Sequence, residues 1–473
     1  MSDKRLFGVE LPESWELVTV GDVAVVVGGS TPKSKEPRYW DGDIPWLAVS
    51  DLAGHTGKYI SRGKRSITKA GLDSCSTQML PAGSVVYSSR APIGYVAIAA
   101  NELCTSQGFK SLVLPEGLSS DYVYWWLRAA RPLIEAQASG TTFKEVSGRG
   151  MAAVPFPLPP RAEQDRIVEA VESAMDAVHR AANSLVEAEA RLLHFRAAVL
   201  HTQLPVNETS TVLGDVADVR SGLTKGRKIK GEAKDVPFLR AANVQEGRLD
   251  LDEIKTIPAT ATERERFELR DGDVLLVEGS GSPHRLGQGW IWRGEISGCL
   301  HQNHVFRARP NRDLVMSEYL AWAMQSPAAR DHFRRMAKTT SGLSTINRTQ
   351  IEATPVPLPP LDEQREVVAR LERLRQTHAT LTDELQQLQG EVSALRRSIL
   401  HHAFSGQLVP QDPDDEPASE LLKRIEAEKA EREAELKAAR RRRRKGRSGS
   451  SAETAEALPR PPSQSGKVGT SSD

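Results

Sequence analysis

Apolar residues recur at alternating spacings of four and three through two long stretches of the chain. In the second stretch the row is Val367, Leu371, Leu374, His378, Leu381, Leu385, Leu388, Val392, Leu395 and Ile399. The same rhythm, 200 residues earlier, runs through Ile167, Val171, Ala174, Val178, Ala181, Leu185, Ala188, Leu192, Phe195 and Val199. A seam sustained over more than four heptads specifies a coiled coil. At a rise of 1.5 Å per residue, each ~40-residue helix spans ~60 Å. The first seam holds alanine at several places where the second holds leucine. Small against large is how unlike helices mesh, so the two are expected to pair with each other. The seam by itself suits either direction of pairing.

Elsewhere the pattern shortens to strand length. Val23–Val27, Ile44–Val49, Ser84–Tyr87, Tyr95–Ala99 and Lys110–Leu114 read as strands between turns rich in Gly, Pro and Ser. Asp121–Gln137 reads as a helix, with Tyr122, Trp125, Trp126 and Leu133 able to pack on one side. Residues 206–354 echo this order. Val20–Ala24 returns as Leu213–Ala217, Ile44–Leu47 as Val236–Leu239, and Pro81–Val86 as Arg270–Leu275. Gln107 is matched with Gln302, and Asp121–Val123 with Glu318–Leu320. The echoed positions are mostly glycines and apolar residues, which set turns and cores, while the segments between them differ freely. Each copy closes on the same spelling, Pro155–Pro160 and Pro355–Pro360, followed by Glu163-Gln164 and Glu363-Gln364.

The expected organisation has six parts. They are a globular half over 1–154, a hinge and helix over 155–205, a second half over 206–354, a hinge and helix over 355–410, a charged helical extension over 411–445, and a disordered tail over 446–473. The tail is rich in Ser, Gly, Pro and Ala. Such a duplication is a pseudo-dimer, and pseudo-dimers suit bipartite targets, DNA foremost.

Charge and cysteine narrow the classes. With a net charge of +1, nucleic-acid binding must come from local basic surface. Cys75, Cys104 and Cys299 are scattered and odd in number, which argues for a reducing compartment. No leader-like segment and no window of 18 apolar residues is present, so a cytoplasmic protein without a membrane span is expected.

No phosphate loop, methyltransferase tetrapeptide, nucleophile elbow or zinc-protease motif occurs in the sequence. No catalytic residue is assigned. Cys299, His301 and His304 fit a structural strand, a nucleic-acid-facing His/Gln segment, or an incomplete metal site, and no metal is assigned. The basic loop Lys225, Arg227, Lys228 and Lys230 and its weaker counterpart Lys33 and Lys35 fall at the same place in the repeat. They are either DNA contacts or solvated loops. Ser89-Arg90 corresponds to the longer stretch that holds Ser280 and Arg285. Arg90, Arg285, Gln107, Gln302 and Asn243 are types that read base edges. Thr141, Thr142 and Lys144, and in the second copy Ser344, Asn347 and Arg348, lie in hydroxyl- and glycine-rich loops. Those loops suit phosphate contact or are ordinary polar turns. Lys110 and His304 complete the candidate DNA-binding set. The run Arg440–Lys445 is either a nonspecific phosphate grip or a solvated tail.

Several features in combination resemble the specificity subunits of type I restriction-modification enzymes. They are Trp15-Glu16-Leu17 with Gly21-Asp22-Val23, Thr105–Lys110, the Ser139–Lys144 loop, the two Pro hinges with Glu-Gln, and Ala403–Pro410. The resemblance covers about residues 12–430. It implies an α+β fold: two similar α/β target-recognition domains joined by two long helices in an antiparallel coiled coil, with an internal pseudo-two-fold repeat. It implies a non-catalytic subunit that reads a split double-stranded DNA target. Two methyltransferase subunits would be recruited and, through them, endonuclease/translocase subunits. S-adenosylmethionine, ATP and Mg are then expected on those partners, with no cofactor on this chain. A free-standing DNA-binding regulator and a coiled-coil assembly protein are the rival readings.

Overall fold

The computed structural model describes residues 4–140, 144–206, 210–280, 286–340 and 343–431. The chain forms two compact units, one of residues 1–180 with 392 onward and the other of residues 181–391. The division falls inside both long helices.

In the first unit a five-stranded sheet runs in the order Val25–Gly28, Lys110–Val113, Val85–Ser89, Ile93–Ala99, Tyr59–Ile60. Val85–Ser89 is central and buried throughout, and its two serine hydroxyls are satisfied by donating to the Pro92 and Gly108 carbonyls. A second sheet is ordered Cys104–Thr105, Trp40–Leu47, Arg65–Ile67. The second unit repeats the plan. Its four-stranded sheet is ordered Ala217–Ser221, Val305–Pro310, Val274–Val277, Gly289–Ile291, and its three-stranded one Leu300–His301, Ala233–Leu239, Lys255–Thr260. The predicted helix over 121–137 is two pieces, Ser120–Ala129 and Arg131–Ala136. Pro132 lacks the N–H that a continuous helix needs there. Tyr122, Trp125 and Trp126 are buried as expected. The Trp126 and Tyr122 rings each meet Phe404 edge-on at 5.2 Å.

The long helices are Arg161–Gln203 and Leu361–Phe404, called central and distal below. In the first unit Ile167, Val171 and Met175 of the central helix share a core with Leu400, Ala403 and Phe404 of the distal one. In the second unit Leu200 of the central helix joins Val367 and Leu371 of the distal one. Arg370 Nε donates to Gln203 Oε1 at 2.7 Å. Start therefore meets end in each unit, and the pair is antiparallel.

The seam departs from the expected one at Ala181 and Phe195 of the central helix and at Leu381, Leu388 and Leu395 of the distal one, while Ala174, Ala188, Leu374 and His378 are half-buried. Val178, Leu185, Leu192 and Val199, with Leu385, Val392 and Ile399, are buried or half-buried. Phe195, Leu381, Leu388 and Leu395 are 56%, 40%, 43% and 52% exposed. Their neighbours Arg196, Thr382, Gln389 and Arg396 are the half-buried ones. A choice between spacings of three and four sets which neighbour faces the partner, and a turn of 3.6 residues allows either. The distal helix thus puts about one apolar residue per heptad into the pair, Leu385, Val392 and Ile399. The central helix adds Ala182 and Ala188 to Leu185 and Leu192, and Leu381, Leu388 and Leu395 flank the seam.

The hinge motif is structural. Pro155–Leu158 pairs antiparallel with Glu16–Thr19, and Pro355–Val356 with Thr211–Val212. Gln164 and Gln364 are both fully buried. Gln164 Oε1 accepts from the Ser119 amide at 2.9 Å, and Gln364 Oε1 from the Met316 amide at 2.9 Å. Their amide groups donate to the Pro159 and Pro359 carbonyls at 3.3 and 2.8 Å. Each glutamine thus ties a hinge to the start of a domain helix.

Glu163 is buried where Glu363 is exposed. It accepts from Trp15 Nε1 at 2.9 Å and from Gln411 Nε2 at 2.6 Å. Burial pushes its carboxyl up, against those two hydrogen bonds. The chain then returns along the first unit. Arg166 forks onto Asp415 at 2.6 and 3.3 Å, and Ala418, Leu421 and Ile425 of a helix starting at Ala418 enter the first core. The expected basic run Arg440–Lys445 and the tail lie outside the described residues.

Candidate nucleic-acid interface

In both units three loops are stitched together by the same backbone bonds. The strand Val25–Gly28 leads into Gly29, whose added Cβ would lie 2.2 Å from the Ser106 carbonyl oxygen. Its counterpart Gly222 would lie 1.9 Å from the His301 carbonyl oxygen. Only glycine lets the basic loop pass so close to the glutamine segment. The Ser106 amide donates to Leu47 O at 2.8 Å, as Gln302 does to Leu239 O at 2.8 Å. Ser89 N donates to Gly108 O at 2.8 Å, and Glu278 N to His304 O at 3.0 Å. The third loop closes the set, through Val146 N to Ser89 O and Ile346 N to Glu278 O, both 3.0 Å.

These bonds align Ser106 with Gln302, so Gln107 corresponds to Asn303 rather than to Gln302. The one-residue shift was hidden because a glutamine stands at both places in the spelling. Arg90 corresponds to Gly279, since each pairs across to the third loop, with Glu145 and Thr345.

In the first unit two indoles pin the basic loop by its backbone. Trp46 Nε1 donates to Ser30 O at 3.0 Å and Trp40 Nε1 to Lys33 O at 3.2 Å. Lys33 and Lys35 stay exposed. Gln107 is exposed and accepts from the Thr31 hydroxyl. Arg90 and Lys110 share Glu145, each at 3.3 Å. Lys144 is exposed beside them. Arg90, Lys144 and Glu145 line one cavity of 750 Å³ with Arg131 and Glu135. Ser89, by contrast, is buried and donates to Gly108 O at 3.1 Å, so it supports the loop from within and is out of reach of a ligand.

In the second unit Arg227 pins the loop. It forks onto Glu263 at 2.6 and 2.7 Å and donates to Pro258 O at 2.8 Å. The Arg227 guanidinium in turn draws the Glu263 carboxyl down to about 2. Arg227 is thus occupied, and Lys225, Lys228 and Lys230 are the exposed cations. His304 is exposed, with Nδ1 2.6 Å from Glu278. Gln302 is half-buried. Asn243 does not face outward to read a base edge: it is buried, accepts from Arg240 N at 2.9 Å and donates to Asp250 O and Glu253 O. A short amide side chain there closes a turn. Ser344 is buried as well. Asn347 caps the helix Arg348–Glu352 by accepting from Gln350 N at 3.0 Å, and Arg348 is held by Glu352 at 2.7 Å. Thr141, Thr142 and Arg285 lie outside the described residues, as does the side chain of Ser280.

Asn303, Glu145 and Glu278 belong to this surface and were not picked out from the sequence. Lone polar residues carry no pattern, and only the strand pairing brings them beside the cations. Cys299 and His301 are buried inside, with the thiol pushed up to about 12 by burial. Among the described residues no group of three acidic, His or Cys side chains could hold a metal.

A family model described as the type I restriction modification DNA specificity domain matches residues 12–188 and 205–389. The MjaIX specificity subunit of Methanocaldococcus jannaschii is 38% identical over 171 residues, 36% of this chain and 40% of that one. The EcoKI specificity subunit of Escherichia coli is 26% identical over 89% of this chain and 97% of its own length. Among solved structures, one from a study of assembly and conformational transition in a type I R-M system superposes with a TM-score of 0.67. It is 20% identical and covers 84% of this chain and 99% of the other. The HsdS subunit of Thermoanaerobacter tengcongensis gives a TM-score of 0.50 at 19% identity, over 84% and 98%. Two matched copies spanning well over half the chain, on a twice-repeated fold, make this protein a member of the type I restriction-modification DNA specificity family.

Proposed function

We propose that each half of this chain reads one part of a bipartite DNA target, and that the chain positions methyltransferase subunits and, through them, endonuclease/translocase subunits. One observation carries the reading. A single backbone frame, closed by matching hydrogen bonds, presents different side chains in its two copies: Gln107 against Asn303, Arg90 against Gly279, and two loop lysines against three. Exposed lysines grip phosphates and give register, while amide and guanidinium groups discriminate base edges. The antiparallel helices serve as the spacer between the two half-sites. Their exposed leucines 381, 388 and 395, one heptad apart, are an apolar stripe of the kind that partner helices cover. Adenine methylation with S-adenosylmethionine, and ATP- and Mg-dependent translocation and cleavage, belong in this reading to the partners.

The test is the methylome of a host that carries this chain beside its methyltransferase subunit, compared with a host carrying the methyltransferase alone. Methyl-adenine at one split motif, seen only with this chain, is the expected result. A folded complex that marks no motif would favour a regulatory or protein-binding role instead.

A further inference from the structure

The second unit holds a cavity of 300 Å³ between the last turns of the central helix and the helix Pro327–Met336. Its charged lining is Arg196, Arg330, Arg334 and Glu246. Arg196 donates to Glu246 Oε1 and to Gln325 Oε1, both at 2.8 Å. Arg330 donates from Nη1 to Leu286 O at 2.8 Å. Its Nη2 lies 3.5 Å from Glu246 and is buried without a hydrogen-bond partner. One carboxylate therefore serves two largely buried guanidinium groups. Burial works against ionisation of Glu246, but Arg330 and Arg196 outweigh it and hold the carboxyl below its usual range. Arg334 stands at the rim, half exposed and paired with Asp331. A second cavity of 260 Å³ shares Arg196 and Glu246 and adds Arg248, Arg375 and His378. Arg375 is matched by Glu372 at 2.7 Å. The seat as a whole is short of negative charge, and a buried guanidinium N–H without an acceptor is costly.

Apart from Gln325, the rest of the first cavity's wall is apolar: Leu193, Ala197, Leu200, Leu286 and Pro327. Leu193 is 54% exposed, and Val186, one heptad earlier on the same helix face, is 61% exposed. A DNA strand would match the cations but leave those side chains against water. An acidic side chain with apolar neighbours matches both, and arginines in a partly apolar pocket are typical anchors of protein interfaces. We propose that this cavity is a socket for an acidic side chain of the methyltransferase subunit, whose apolar neighbours cover Leu193 and Val186. The partner's identity rests on the function proposed above. The demand for an anion rests on the cavity alone.

The experiment uses the full chain, its methyltransferase subunit and a duplex DNA, with affinities measured by calorimetry in 0.1 M salt. Arg334→Glu and Arg330→Gln are compared with Arg312→Glu, a surface charge reversal elsewhere in the same unit. Each socket variant is expected to weaken methyltransferase binding by about tenfold or more, and the control by less than about twofold. DNA binding by the chain alone is expected to stay as in the parent. Arg334 is half exposed, so its variant keeps the test valid should Arg330→Gln unfold, and thermal melts check this. Unchanged methyltransferase affinity in Arg334→Glu overturns the proposal. So does a loss confined to DNA binding, which would make the cavity a phosphate site. Failure of the unaltered chain to bind the methyltransferase would instead overturn the function proposed above.

Discussion

Gly29 and Gly222 are the residues on which the two candidate surfaces turn. A methyl group at Gly222 would stand 1.9 Å from a backbone oxygen, with no flexible side chain to yield. Gly222→Ala is expected to lower the stability of the second unit by ~2–3 kcal/mol and, under the function proposed above, to remove recognition of one half-site only. Denaturant melts and methylation of split-site oligonucleotides check this. His301 makes a second residue-scale case. Burial draws its imidazole down to about 4 from 6.5, while Nδ1 donates to Val305 O at 2.7 Å. The unfolded chain therefore binds a proton more readily between these values. His301's contribution is fully present above pH 6.5 and drains away as the pH falls towards 4. The loss amounts to about 3 kcal/mol. His301→Gln is expected to flatten that part of the stability profile, read from chemical melts across the range. Neither role was legible beforehand. A glycine and a histidine carry no periodicity, and their surroundings come from strands distant in sequence.

At the scale of the element, the sequence was most readable where a physical period repeats. The long helices and the fact that they pair follow from the four-three rhythm, which suits either direction of pairing. Which neighbour in each heptad faces the partner does not, because Leu381, Leu388 and Leu395 satisfy the rhythm as well as Thr382, Gln389 and Arg396 satisfy the geometry. Apolarity predicts burial against something, and a leucine stripe can serve an outside partner. The Pro hinges are the repeated words of the sequence, yet the buried glutamines that follow them make the ties. Gln364 accepts from Met316 N and donates to Leu314 O and Pro359 O at 2.9, 3.0 and 2.8 Å. Gln364→Leu leaves these groups without partners and is expected to cost about 3 kcal/mol. Gln364→Glu keeps the acceptor for Met316 N but sets a buried carboxylate against the Leu314 and Pro359 carbonyl oxygens, and is expected to cost at least as much near neutral pH. Urea melts of the two variants separate the lost hydrogen bonds from the buried charge.

Across the whole molecule the repeat is not symmetric. Glu163 is sealed between Trp15 and the returning chain at Gln411, and its counterpart Glu363 is open to water. The C-terminal segment therefore belongs to the core of the first unit. A chain ending at Pro410 loses Leu421 and Ile425 from that core. Such a truncation is expected to destabilise the first unit by about 4 kcal/mol. Scanning calorimetry should then resolve an earlier transition for it, with the second unit melting as before. A single unshifted transition would mean that the segment adds nothing. Among the described residues no helix is long and apolar enough to cross a membrane.

The sequence by itself determined the duplication, the strand-rich halves, the two helices and the family. Each of these is written in local periods or in the spacing of repeated words. Only the tertiary structure decided which candidate residues face outward. Ser89, Asn243 and Ser344 are buried, Arg227 and Arg348 are tied to carboxylates, and Gln107 is matched by Asn303. It also decided that Arg196, Glu246 and Arg330 share one seat, although more than 40 residues separate each from the next. Exposure and charge pairing depend on neighbours brought together by strand register and helix contact, and no local pattern records them.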